Sequence, residues 1–219
     1  SACLVGSEMC IRDSRNTDFE VLGTNATPAL VTFSTAYAGI KLTTAGADND
    51  QIIILPSLDT TQSSWSKTGM WGTENLVEWA AAITTDTITN VAYWAGLKMT
   101  NVPLVTTDTH QAYFLYSSAA DALTIPVITT PANLHFIVSV AGTDYVTDLG
   151  IVVAADTTYR LKIAIDSDHK VSCFVNGVQY GVASSAVAAG TTQSTATTKS
   201  AAISDPEDGS SSQNLIPYV

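Results

Sequence analysis

The sequence predicts an all-β, antiparallel sandwich, and three observations carry that expectation. Residues 158–180, TYRLKIAIDSDHKVSCFVNGVQY, alternate apolar and polar with period two. Short strand-like segments punctuated by turn residues follow one another from Asp18 onward. No window of a dozen residues shows a helical period, and many short strands with turn signals between them indicate a sandwich or barrel.

Within the first of these, Tyr159, Leu161, Ile163 and Ile165 fall on one face and Arg160, Lys162 and Asp166 on the other. That is a strand with one side buried and one side wet. Asn176-Gly177 sits between apolar runs. Both central residues of a type I′ turn need positive φ, so Asn-Gly marks a hairpin. The remaining strands are expected at Phe19 to Leu22, Ala29 to Ser34, Ile40 to Thr43, Gln51 to Leu55, Leu76 to Ile83, Asn90 to Met99, Gln111 to Tyr116, Leu134 to Val140, Ile151 to Val153 and Asn214 to Val219. Residues 184–213 are Ala, Ser, Thr and Gly with an acidic DPEDG patch. With little to bury, they read as a long flexible loop before the last strand. No repeat of 20–50 residues is visible, which disfavours a propeller or solenoid.

Residues 3–14, CLVGSEMCIRDS, resemble a translated sequencing adapter. On that reading residues 1–15 are not native, residues 16–219 form one sandwich domain, and the chain is cut at both ends. Cys3 and Cys10 then carry no role, which leaves Cys173. It alternates with Val171 and Val175 and reads as a small buried apolar residue.

The net charge is −11, and from Asn16 onward only seven Lys or Arg remain, scattered along the chain. Nucleic-acid binding needs clustered positive charge, so that class is excluded. An anionic membrane surface is an equally poor partner, and no apolar run approaches the length of a membrane span. An acidic, lysine-poor, Thr- and Ala-rich chain suits a soluble extracellular or particle-surface role.

The stretch from Tyr159 to Gly177, with Tyr159, Leu161, Ile163, Ile165, Asp166, Asn176 and Gly177 at the matching places, resembles concanavalin A-like and laminin-G-like jelly rolls. The strings DNDQIIILPSLD (48–59), WAGLKMTN (94–101), THQAYFLY (109–116), GTDYVTDLGIVVAADTTYRLKIAID (142–166) and LIPYV (215–219) resemble uncharacterised structural proteins of marine tailed phages. That resemblance implies a virion-associated jelly-roll sandwich and supplies no functional residues.

Catalytic patterns are weak. Sugar hydrolysis needs two facing carboxylates, and no E-x-D-x-E strand occurs; Glu78 alone is a solvated sheet residue. No G-x-S-x-G elbow is present, and His110, His135 and His169 share no ligand spacing. Asp48 and Asp50, and Asp166 and Asp168, offer hard oxygens that would suit calcium. The preferred account is that they cap their own turns, with no cofactor. Trp65 and Trp71, in SSWSKTGMWG, are the candidates for stacking on a sugar.

The expectation is therefore a non-enzymatic virion module, a capsid decoration or part of a tail fibre. Its partners would be other virion proteins or host-surface glycans, and self-association is compatible with it. The rivals are a polysaccharide lyase or glucanase, which would need a groove lined with Arg, His, Tyr and paired acids, and a free carbohydrate-binding lectin domain.

Overall fold

The computed structural model describes residues 20–36, 39–47, 50–55, 77–97, 111–118, 128, 130–140, 142–166, 170–182, 201–204 and 212–216. The adapter-like start and Asp48, Trp65, Trp71, His110, Asp168 and His169 lie outside them. In chain order the described strands are β1 (Glu20–Leu22), β2 (Val31–Ser34), β3 (Gly39–Thr43), β4 (Gln51–Leu55), β5 (Val77–Thr85), β6 (Ala92–Leu97) and β7 (Gln111–Ser117). They continue with β8 (Asn133–Val140), β9 (Thr143–Val152), β10 (Thr157–Ile165), β11 (Val171–Val175), β12 (Val178–Tyr180), β13 (Ala201–Ser204) and β14 (Ser212–Ile216).

These strands form two seven-stranded sheets. Sheet A runs β1-β4-β13-β6-β7-β8-β9 and sheet B runs β12-β11-β10-β5-β14-β3-β2. Every pairing is antiparallel. Consecutive runs, β6-β7-β8-β9 in sheet A and β10-β11-β12 in sheet B, alternate with pairs remote in sequence such as β4-β13, β13-β6, β5-β14 and β14-β3, where the chain passes between sheets, and the result is a jelly-roll sandwich.

The core follows from alternation. Strand β10 buries Tyr159, Leu161, Ile163 and Ile165, as the period-two pattern requires. They meet Trp79, Ile83, Val171, Cys173 and Val175 of sheet B and Tyr93, Phe114, Tyr116, Phe136 and Val138 of sheet A. Phe114 and Phe136 pack with centroids 4.9 Å apart. Each such side chain contributes about 1.5–3 kcal/mol on burial. Burial pushes the Cys173 thiol up to about 11, so it is an inert core group. The turn at Asn176 and Gly177 has φ of 51° and 81°, the I′ geometry its sequence demands.

Three elements depart from the sequence expectation. Residues 28–30 form a 3-10 turn before β2, because Pro28 fixes φ and has no N–H to give a ladder. Residues 143–150 join 151–152 in the single ten-residue strand β9; Asp144 and Asp148 on its outward side hide the alternation. The expected loop at 184–213 contains β13, which pairs with β4 and β6. Its residues Ala201 and Ala202 are too small to signal a strand, and long-range ladders hold it.

Candidate functional site

Alternation leaves each sheet a second, outward face, and the two differ. On sheet A the outward residues are Ile53, Trp94, Tyr113, Leu115 and Ile137, a second apolar cluster that includes Ile128. Trp94 and Tyr113 meet edge to face at 6.1 Å. Gly96 lies beside them with φ +146°, and a Cβ there would come within 2.6 Å of Ala112 O and Tyr113 Cα. The two strands therefore approach closely only because residue 96 has no side chain.

Polar groups are embedded in this face. Gln111 Nε2 donates to Ser139 Oγ at 2.6 Å, and Ser139 Oγ donates to Asp144 Oδ1 at 2.5 Å. The chain crosses β7, β8 and β9 from the interior to the sheet edge. Two rows away His135 stands opposite Leu115 and Asp148. Its Nδ1 lies 3.0 Å from Asn133 O, and a carbonyl accepts, so the proton sits on Nδ1 and leaves Nε2 as a bare acceptor. Nε2 is buried and has no hydrogen-bond partner among the described residues.

Burial lowers the His135 pKa, against the opposing pull of the Asp148 charge and the Asn133 carbonyl. For Asp148, desolvation pushes the pKa up. It is outweighed by bonds from Gly150 N–H, Asn133 and Thr130 and by the His135 charge, and the net shift is downward. Asn133 Nδ2 reaches both Asp148 oxygens at 2.9 and 3.0 Å. A histidine with a free Nε2, diagonal to Tyr113 on the next strand, is an acid–base arrangement in kind. Here His135 is 1% exposed and Tyr113 0%, and neither meets solvent.

The outward face of sheet B is wet at Glu78 and over β10–β12, while Ala82 and Thr84 on the same face are buried. Glu78 and Lys162 pair at 2.6 Å with both side chains substantially exposed, as expected for a solvated sheet residue. Lys162 Nζ lies 5.6 Å from the centre of the Phe174 ring. Arg160 is exposed on the same face, its backbone N–H held by Asn176 Oδ1 at 2.9 Å. Ala80, Ala82 and Ala164 stand between these longer side chains.

Asp50 and Asp166, the described members of the two acidic loops, are not brought together. Asp50 is fully buried beside β4. Its Oδ1 accepts from Asn25 Nδ2 at 2.5 Å and its Oδ2 from the N–H groups of Gly46 and Ala47 at 2.8 Å. Asp166 Oδ1 accepts from Lys170 N–H at 2.8 Å. Both are turn-capping arrangements. Leu42 and Thr85 are level across Gln213 of β14, whereas Ile165 is level with Val77, so the two loops leave opposite ends of sheet B, ~27 Å apart along β5. No group of three His, Cys, Asp or Glu converges among the described residues. Trp79 belongs to the inter-sheet core and Trp94 to the outward cluster of sheet A.

Sequence reasoning missed the Gln111–Ser139–Asp144 chain. The shared parity of Gln111, Tyr113 and Leu115, and of His135, Ile137 and Ser139, was the available signal. It becomes a face only once the β7–β8 register is known.

No family model and no curated protein matches the sequence. Solved structures do resemble it. A family 7 alginate lyase, A1-II′, in complex with its product aligns with a TM-score of 0.53 at 17% identity, over 87% of this chain and 82% of that one. The carbohydrate recognition domain of Emp46p in its potassium-bound form aligns with a TM-score of 0.53 at 8% identity, over 99% and 94%. The fold is a concanavalin A-like jelly roll. At these identities the likeness extends to the fold alone, and this jelly roll carries its own outward faces.

Proposed function

We propose that this jelly roll is a non-enzymatic structural and adhesion module of a phage particle, a rigid scaffold that presents an outward surface to glycans. The observation that carries the reading is the sealed outward face of sheet A. Ile53, Trp94, Tyr113, Leu115 and Ile137 are at most 1% exposed there, and the titratable His135 is enclosed with them. Polysaccharide cleavage needs acid–base groups in a groove that the chain can enter. A face packed with large apolar side chains serves rigidity instead. The virion setting rests on the resemblance of residues 48–59, 94–101, 109–116, 142–166 and 215–219 to phage structural proteins.

A glycan array probed with the full chain tests the adhesion half. Retention of a defined glycan class supports it, and a clean negative removes it. Arrays with Trp65→Ala and Trp71→Ala then ask whether those tryptophans belong to the binding surface. Incubation with uronate and glucan polymers tests the absence of catalysis. New reducing ends, or the ultraviolet absorbance of an unsaturated uronate, would establish an enzyme. Genes flanking the coding sequence test the setting: capsid or tail genes support a particle, and a polysaccharide-utilisation cluster contradicts it.

A further inference from the structure

The basic residues of this acidic chain are not evenly placed. The whole sequence has 20 Asp and Glu against nine Lys and Arg. Among the described residues the bases are Lys41, Arg160, Lys162 and Lys170, and all four belong to sheet B or its β10–β11 turn. The outward side of sheet A, by contrast, carries Asp144 and Asp148 at its β9 edge. Lys41 is answered by Asp86 at 3.4 Å and Lys162 by Glu78 at 2.6 Å. Arg160 has no ion-pair partner among the described residues, although acids outnumber bases about two to one.

Register collects the neighbours of Arg160 into one patch. Lys162 is two residues along the same strand face, Phe174 is opposite Lys162 on β11, and Gln179 is opposite Phe174 on β12. The alternation that buries Leu161, Ile163, Cys173 and Val175 turns these four outward. Asn176 closes the patch at the hairpin; its Oδ1 is engaged by the Arg160 N–H, so its NH2 group remains to donate. The patch thus offers a planar guanidinium fork, an ammonium, a half-buried aromatic ring and two amides beside a low alanine floor. A carboxylate matches the fork, a sugar's apolar side suits a ring, and hydroxyls suit amides.

We infer that the outward face of β10–β12, through Arg160, Lys162, Phe174 and Gln179, binds an anionic sugar chain of the polyuronate class, with Arg160 taking a carboxylate. This rests on the glycan-binding reading above and gives it a place and a ligand chemistry. Lys162 and Glu78 then have a defined relation to the ligand. Glu78 is the anion that occupies Lys162 when no sugar is bound, and an arriving carboxylate competes with it. Local positive charge also makes the interaction sensitive to salt.

Isothermal titration of the full chain tests this with three probes: a short oligouronate, a neutral gluco-oligosaccharide of equal length and a sulfated oligosaccharide. The oligouronate is expected to bind best, and more weakly as salt rises. Arg160→Ala should weaken it about tenfold, the loss of one charge-assisted contact. Arg160→Lys should recover only part of that, because an ammonium lacks the fork. Glu78→Gln should tighten binding, an outcome that a purely structural ion pair would not produce. These residues are exposed, and thermal melts of each variant confirm that the fold is kept. Equal binding of the neutral sugar, no effect of Arg160→Ala, or weaker binding in Glu78→Gln overturns the site. Tighter binding of the sulfated probe overturns the uronate assignment. Glycan binding that survives Arg160→Ala unchanged sinks this patch and leaves the adhesion reading standing, whereas a chain that binds no glycan of any class sinks both.

Discussion

The two outward faces of this sandwich are built from the same alternating strands and have opposite characters. On sheet A, Trp94, Tyr113, Leu115 and Ile137 are withdrawn from water and trap a chain of hydrogen-bonded polar groups among them. On sheet B, Glu78, Arg160 and Gln179 remain exposed around a floor of alanines. Period two guarantees that each strand has a second side, but it does not determine what that side is for. A face that is sealed adds stability and closes off chemistry. A face that is wet adds little stability and is free to recognise something.

Substitutions that cross this division should separate the two faces sharply. The largest effect belongs to sheet A. Trp94→Ala should cost about 3–5 kcal/mol in urea unfolding. Gly96→Ala should be comparably harmful, because its new methyl meets backbone at 2.6 Å and its φ of +146° suits glycine. A cost below about 1 kcal/mol for Trp94→Ala would mean that the face is not packed.

Asp50→Ala comes next. It strands the N–H groups of Gly46 and Ala47 and the Asn25 amide, which costs about 2 kcal/mol. Equal melting temperatures for native and variant chains would refute that role.

The pH dependence of sheet A is a finer probe. The folded His135 pKa lies below its ordinary value of 6.5 because of burial. The unfolded chain therefore binds the proton more readily, and stability is fully present above 6.5 and declines as pH falls below it. Asp148, also lowered, contributes stability that is lost only further down, below its ordinary 3.8. His135→Gln should flatten the first of these losses in melts taken across that range. A native chain with constant stability there would contradict the placement of His135.

The smallest effects are expected on sheet B. Glu78→Gln removes an exposed ion pair and should change stability by less than about 0.5 kcal/mol. A cost above about 1 kcal/mol would show that the wet face is a structural one after all.

Much of this contrast was readable in the residues and some of it was not. The β10–β12 meander, with its buried Tyr159, Leu161, Ile163 and Ile165 and its Asn176-Gly177 turn, has the local signals that sequence carries well. Strand β13 has none, because Ala201 and Ala202 owe their strand to β4 and β6 across the sheet. Strand β9 was masked by Asp144 and Asp148, whose outward side chains break the hydrophobic pattern. For the candidate site, Arg160 and Lys162 were visible as outward residues. Their grouping with Phe174 and Gln179 required the registers of two hairpins. Trp79 faces the inter-sheet core and Trp94 the outward cluster of sheet A, a separation that strand parity alone does not supply because it cannot say which face is covered.

The most direct test of the division between faces is to titrate an oligouronate into the isotope-labelled chain and follow backbone amide shifts. Changes are expected along β10, β11 and β12 around Arg160 and Phe174, with β6, β7 and β8 unmoved. Shifts centred on Trp94, Tyr113 and His135, or no shifts at all, would contradict that expectation.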